Sequence, residues 1–403
     1  MSLRARFVAL AGLFAVGLAV VVAGNSTDDG GTGGRTPIPP APEIHPHRTK
    51  TGAVSAYKGL WISTRQIARL PREGQSWRAM QTIARGGLGS ADLADQSNMH
   101  GTRAFAAALV YARTGDATYR AKVHAAIMSA IGTEEGARSL ALGRNLTPYV
   151  LAADLINLEA LSRTDGRRFR EWIGGLRTRS NEGNSRWPTL VQTSENTSSN
   201  WGAFALASRI ATDLYLGDTA DLRQVASIHL AYADRSKYPT GKPWGGYFQP
   251  TADFDPANWA CGDVATWVAI NPPCLKNGHD INGALVEDIS REEAQQTVLP
   301  QPPGSSGVSY SWETLQALTV QAELLRRAGY PTLWETSGQA LRRATAFMQR
   351  AGWYEDASVA HYVPWLVNKR YGTSFPTRTG GYGRLVGFTD WTHARSRGEA
   401  RGR

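Results

Sequence analysis

Residues 102–131 read "TRAFAAALVYARTGDATYRAKVHAAIMSAI". Apolar residues recur at three- and four-residue spacing on both sides of "RTGD", the mark of two helices folded back across a tight turn. The pattern returns three times. "LTPYVLAADLINLEAL" (146–161) and "RRFREWIGGLRTRS" (167–180) flank "SRTDG", and "WGAFALASRIATDLYLGD" (201–218) runs into "TADLRQVASIHLAYADR" (219–235). "SWETLQALTVQAELLRRAGY" (311–330) runs into "PTLWETSGQALRRATAFMQRAG" (331–352). Alternating β patterns are almost absent, so the fold class is predicted to be all-α. Successive antiparallel pairs either bundle, stack as a solenoid or curl into a toroid. No fixed repeat period supports the solenoid.

Upstream of these hairpins, "MSLRAR" leads into the apolar run "FVALAGLFAVGLAVVVAG", Phe7 to Gly24. Residues 1–24 therefore predict a signal peptide or an uncleaved N-terminal membrane anchor. The Gly/Pro-rich stretch 25–50 reads as a linker, residues 51–393 as one large domain, and 394–403 as a basic tail. The expected location is secreted or cell-surface/periplasmic. Formal net charge is +10, half of it carried by Arg4, Arg6 and the Arg-rich C-terminus. A modestly basic exported body suits an acidic polymer: a polyuronate, a teichoic-type chain or nucleic acid. No nucleic-acid-binding module is recognisable, and the Arg-rich tail is short and terminal, so nucleic acid is not the expected partner.

Two cysteines, Cys261 and Cys274, lie in the exported part, where a loop disulfide is the default. His279 alone is too little to complete a metal site with them, and no metal or cofactor is expected. Segment 238–307 interrupts the helices and is rich in Trp, Pro, Gly and Asp. Its Trp244, Tyr247, Phe248, Trp259 and Trp267 argue against disorder. A long aromatic loop over the mouth of a helical barrel is a carbohydrate-binding shape.

Several stretches carry a resemblance. They are "WISTRQIARLPREGQSWRAM" (61–80), "ADQSNMHGTRAFAAALVYARTGDATYRAKV" (94–123), "GRNLTPYVLAADLI" (143–156), "NGALVEDISRE" (282–292), "SYSWETLQALTVQAELLRRAGYPTLW" (309–334), "HYVPWLVNKRYGTSFP" (361–376) and "FTDWTH" (388–393). In this order, over most of residues 57–393, they resemble the alginate lyase superfamily of (α/α) toroid polysaccharide lyases. The resemblance implies an incomplete α/α barrel of helical hairpins with long aromatic-rich loops. It also implies β-elimination on a uronic-acid polymer: a base takes the C5 proton, charge builds on the carboxylate, and the O4 leaving group is protonated. Donors must neutralise that carboxylate, and a Tyr or His must carry the proton.

In "SENTSSNWGAF" (194–204) a run of small polar residues stops at a tryptophan and turns into an apolar helix. A Ser/Asn cap is one reading. The family places Asn-Asn-His just before a Trp-Gly-Ala helix start. Matching on Trp201, Gly202 and Ala203 puts Asn196 at the Asn position, Ser198 at the His position and Asn200 beside the Trp. The family's catalytic His is therefore missing. By the same resemblance Arg291 stands where an Arg precedes the catalytic Tyr, and Tyr310 stands for that Tyr, with a longer gap between them. Either Tyr310 serves as both base and acid, or another imidazole, His100 first and His279 second, takes the missing place. Arg144 and Asn145 match substrate-contacting positions, and Tyr149, Trp187, Trp201, Trp244 and Trp259 are candidates to bind sugar rings.

Two other classes compete. A glycoside hydrolase would need a pair of carboxylates, with Glu195, Asp253, Asp255, Glu287 and Asp288 available. A non-catalytic cell-envelope glycan-binding protein would explain the missing His.

Overall fold

The computed structural model describes residues 59–181, 187–239, 259–262, 267–292, 310–350, 363–380 and 384–394. Helix accounts for 61 % and strand for 2 % of them, so the packing is helix on helix and the all-α expectation holds at that level.

The termini of the helices follow from local chemistry. α1 (Thr64–Ala68) opens on a capping box between Ser63 and Gln66, and α2 (Gln75–Arg85) follows. α3 (His100–Thr114) stops at Gly115, φ 77°, and Asp116 caps α4 (Ala117–Ala130) by accepting from the Thr118 N–H, so "RTGD" is the predicted turn. α5 (Ser139–Ile156) ends at Asn157, φ 50°, and is followed by α6 (Leu158–Leu161) and α7 (Arg163–Leu176). Here the structure differs from the sequence expectation. Ser162 caps α7 through the Asp165 N–H, so "SRTDG" is the cap and first turn of α7, folded against Glu159 of α6, and left-handed Asn157 interrupts the helix earlier.

α8 (Leu190–Asn196) and α9 (Asn200–Leu216) come next; Gly217, φ 74°, ends α9, and Asp218 caps α10 (Thr219–Ala231). α11 (Val286–Glu292), α12 (Tyr310–Arg327), α13 (Ala340–Arg350), α14 (Val363–Tyr371) and α15 (Thr389–Thr392) complete the order. The helix expected from residue 331 starts only at Ala340, because Ser337, Gly338 and Gln339 are all left-handed, with φ 49°, 61° and 56°. Segment 238–307, expected to be irregular, holds α11 and a small hairpin. β1 (Leu275–Lys276) pairs antiparallel with β2 (His279–Asp280) across Asn277-Gly278, whose φ values of 52° and 81° fit the I′ turn. The Cys261–Cys274 disulfide ties its base, with Cα atoms 6.2 Å apart.

α3 packs on α5, α5 on α9 and α9 on α12, and α5, α9 and α12 are buried over nearly their whole length. By contrast α2 buries only the stripe Trp77, Met80 and Ala84, as an outer helix does. Along the α5–α9 seam, Arg138 lies over Trp201, a Cβ on Gly143 would meet the Ala205 nitrogen at 2.8 Å, and Thr147 bonds Ser208. Partner numbers rise together, so the two helices are parallel. The same holds for α9 and α12, where Asn200 meets Glu313 and Ala203 meets Gln321. It holds again for α3 and α5, where Asn145 bonds the Asp95 carbonyl ahead of α3 and Gly101 lies against Pro148 and Tyr149. The N-terminal ends of α3, α5, α9 and α12 therefore share one end of the core.

A buried polar relay locks three of the helices. The Leu333 N–H donates to His229 Nε2 at 3.2 Å, His229 Nδ1 donates to Gln321 Oε1 at 2.9 Å, and Gln321 Nε2 donates to the Ala203 carbonyl at 2.7 Å. Because a backbone N–H can only donate, His229 is the neutral Nδ1–H tautomer. Among the described residues no helix is long and apolar enough to cross a membrane.

Candidate active site

Glu313 lies in the first turn of α12, three residues after Tyr310, so both project from one side of the helix. Its carboxylate is buried. Oε2 accepts from Arg144 Nη2 on α5 and, at 2.7 Å, from Asn200 Nδ2 on α9. The Arg144 guanidinium also covers the Phe204 ring, 5.1 Å from its centroid. Burial pulls the Arg144 pKa down and the Glu313 carboxylate opposes this. The Arg384 charge lowers the Arg144 pKa further, and Tyr310 raises it. Arg384 is held by donating to the Gln96 carbonyl at 2.6 Å.

The turn before α9 is tied to α11. Thr197 Oγ1 donates to Glu287 Oε1 at 2.7 Å, the Ser198 N–H donates to Glu287 Oε2 at 2.8 Å, and Ser198 Oγ donates to the same oxygen. Ser199, the N-cap residue, offers no side-chain cap to α9. Asp288 does so from α11: Oδ1 accepts the Asn200 N–H at 3.2 Å, and Oδ2 accepts from Thr314 Oγ1 on α12. The small polar run thus lies at a helix start, but the Ser/Asn side-chain cap expected for it is not made: the acceptors come from "EDISRE", far along the chain. Gly202 is required here, because a Cβ would lie 1.7 Å from the Thr197 carbonyl oxygen.

At the start of α3, His100 Nδ1 and the Tyr149 hydroxyl are 2.7 Å apart, both buried. Burial first, and then the nearby Arg103 charge, lower the His100 pKa, while burial pushes the Tyr149 phenol up. Neutral imidazole and neutral phenol are the stable forms near pH 7.

The structure thus joins Arg144 and Asn200 through Glu313, with Tyr310 one helical turn before Glu313 on α12, and separately pairs His100 with Tyr149. Asn196 bonds back to the Gln192 carbonyl at 2.7 Å within α8. Asn145 holds the loop before α3 through the Asp95 carbonyl at 2.8 Å. Half-buried Trp201 carries Arg138 over its ring at 4.9 Å, and half-buried Trp187 accepts from Thr193 at its carbonyl. Trp259 is a core residue, 2 % exposed and edge-on to Phe347. His279 lies in the β-hairpin. Glu195 pairs with Arg209 at 3.0 Å beside α10. Arg291 falls in α11 but its side chain lies outside the described residues, as do Trp244, Asp253 and Asp255 altogether.

Glu313 and Arg384 were missed by the sequence reading. For Glu313 the signal was its three-residue spacing from Tyr310; Arg384 is local to nothing else in the site and only the fold places it. Among the described residues no cluster of His, Cys, Asp and Glu could hold a metal ion.

A scan against protein-family models found no match to this chain. A search of curated proteins found no significant relative. The described chain is a mainly helical domain of many packed helices.

Proposed function

We propose that this chain is an exported (α/α) toroid polysaccharide lyase that cleaves a uronic-acid-containing polysaccharide by β-elimination. One observation carries the reading: Arg144 on α5 and Asn200 on α9 share the carboxylate of Glu313, one helical turn from Tyr310 on α12, at the shared N-terminal end of the three helices. That end gathers what elimination needs. Helix N-termini favour an anionic group. Arg144 and Asn200 supply donors for a carboxylate whose charge grows in the transition state.

In this mechanism Tyr310 enters as a phenolate: its oxygen takes the C5 proton, and the C5–H electron pair forms the C4–C5 double bond. The C4–O4 bond breaks, and Tyr310 returns the proton to the departing O4 when both lie on one face of the sugar. His100, neutral and hydrogen-bonded to Tyr149, is the imidazole nearest in role to the one missing at Ser198. The Cys261–Cys274 disulfide accords with an extracytoplasmic location.

The hydrolase reading is weakened by where the carboxylates go. Glu287 and Asp288 accept hydrogen bonds that build the α9 turn, and Glu313 is ion-paired to Arg144. Residues 51–403, incubated with alginate, polyglucuronate, pectate and hyaluronan, should raise ultraviolet absorbance together with reducing ends on at least one polymer. Reducing ends without absorbance would make the protein a hydrolase. Binding of a polymer with neither signal would make it a glycan-binding protein.

A further inference from the structure

We infer that Glu313 is a positioning residue: it aims the Arg144 guanidinium so that its remaining donors meet a substrate carboxylate, and it holds the Asn200 amide in place beside it. This rests on the lyase reading above and adds to it a residue that the sequence reading did not assign. Three observations carry it. One carboxylate oxygen is the acceptor for donors from two different helices, Arg144 Nη2 on α5 and Asn200 Nδ2 on α9, the latter at 2.7 Å. All three residues are buried, Arg144 and Asn200 at 6 % and 1 % exposed and Glu313 at 3 %. The Phe204 ring lies 5.1 Å from the guanidinium carbon, which limits the room for the guanidinium to turn away from Glu313.

Stability alone is a poor explanation for this arrangement. Taking two charges out of water offsets most of their attraction, and an apolar replacement of equal volume is often as stable. What an Arg–carboxylate contact does supply is direction, because the planar guanidinium has a fixed fork of donors. Asn200 is fixed at its other end as well, since its backbone N–H is bonded to Asp288 at 3.2 Å. Thr314, the neighbour of Glu313 on α12, donates to that same Asp288. Glu313 and Thr314 therefore hook α12 to both sides of Asn200, and the frame fixes side-chain direction and helix position together.

The test compares wild type with Glu313→Gln, Glu313→Asp, Arg144→Gln and the double variant Glu313→Gln/Arg144→Gln. Each is assayed for elimination on polyglucuronate, alginate and pectate, with thermal midpoints measured in parallel. Glu313→Gln should lower kcat about 100-fold, the loss that follows when a positioned group shifts by roughly 1 Å, with KM little changed. The double variant should lose less than the two single losses combined, because part of the effect of Glu313 runs through Arg144. Glu313→Asp keeps the charge and should recover about tenfold of the loss. It also serves if Glu313→Gln fails to fold.

Additive losses in the double variant would overturn the inference, as would unchanged kcat in Glu313→Gln. Crystal structures of Glu313→Gln and Glu313→Asp give a readout that needs no activity. Displaced Arg144 and Asn200 side chains support the positioning role, and undisplaced ones contradict it. Should wild type cleave none of the polymers, the lyase reading fails, and these structures still decide whether Glu313 holds Arg144 and Asn200.

Discussion

Ser198 shows how one side chain changes what a site can use. The proposed lyase site lacks an imidazole at this position, and both the Ser198 N–H and hydroxyl are bonded to Glu287. The nearest substitute in kind is His100, whose pKa burial and Arg103 hold below the ordinary imidazole range. Protonation is therefore delayed as pH falls. If His100 takes part as a neutral acceptor, kcat/KM should stay level as pH drops through about 6.5, the usual His value, and decline only below it. In His100→Gln that acid limb should vanish. An acid limb in the variant identical to wild type would remove His100 from the mechanism. The features legible in the sequence were those with a local signature: helix starts at Asn200 and Tyr310, and the pairing of the two cysteines. Arg384 had none, because only the fold brings it near Arg144.

At the scale of elements, α9 depends on a cap supplied by another helix. Asp288→Ala removes the acceptor of the Asn200 N–H and of Thr314 Oγ1. It should destabilise the fold by about 1–3 kcal/mol, the penalty for leaving buried donors unpaired. Denaturant titration of the variant measures this, and an unchanged midpoint would mean that water caps α9 equally well. Gly202→Ala should be more severe, since its Cβ would overlap the Thr197 carbonyl. Turns made by neighbouring residues were readable from sequence: Gly115 with Asp116, and Gly217 with Asp218. Two boundaries were not. Ser162 looks like a turn residue but caps α7, and the left-handed residues 337–339 delay α13 in a stretch whose apolar spacing alone suggests helix. "EDISRE" offered two carboxylates to a hydrolase reading, whereas both serve as hydrogen-bond acceptors for a turn distant in sequence.

For the molecule as a whole, apolar periodicity is enough to predict helix on helix, because each hairpin buries one face of its outer helix. Periodicity says nothing about which helices neighbour one another, so the parallel run of α3, α5, α9 and α12 emerges only from the contacts between them. The relay through His229 binds that core together and makes it sensitive to acid. Burial lowers the His229 pKa to about 4, while the unfolded chain takes up a proton near about 6.5. Its contribution is therefore complete above about 6.5 and is lost as pH falls toward 4. The stability gap between wild type and His229→Gln should narrow from pH 7 to pH 5, and a gap constant with pH would contradict the buried neutral tautomer. The central claim is the elimination chemistry at the shared helix ends. It is tested most directly by the initial rate of ultraviolet absorbance rise on acidic polysaccharides, wild type beside Tyr310→Phe. The account predicts a rate in wild type and a loss of at least about 100-fold in the variant, with folding and polymer binding retained. A variant as fast as wild type would contradict it.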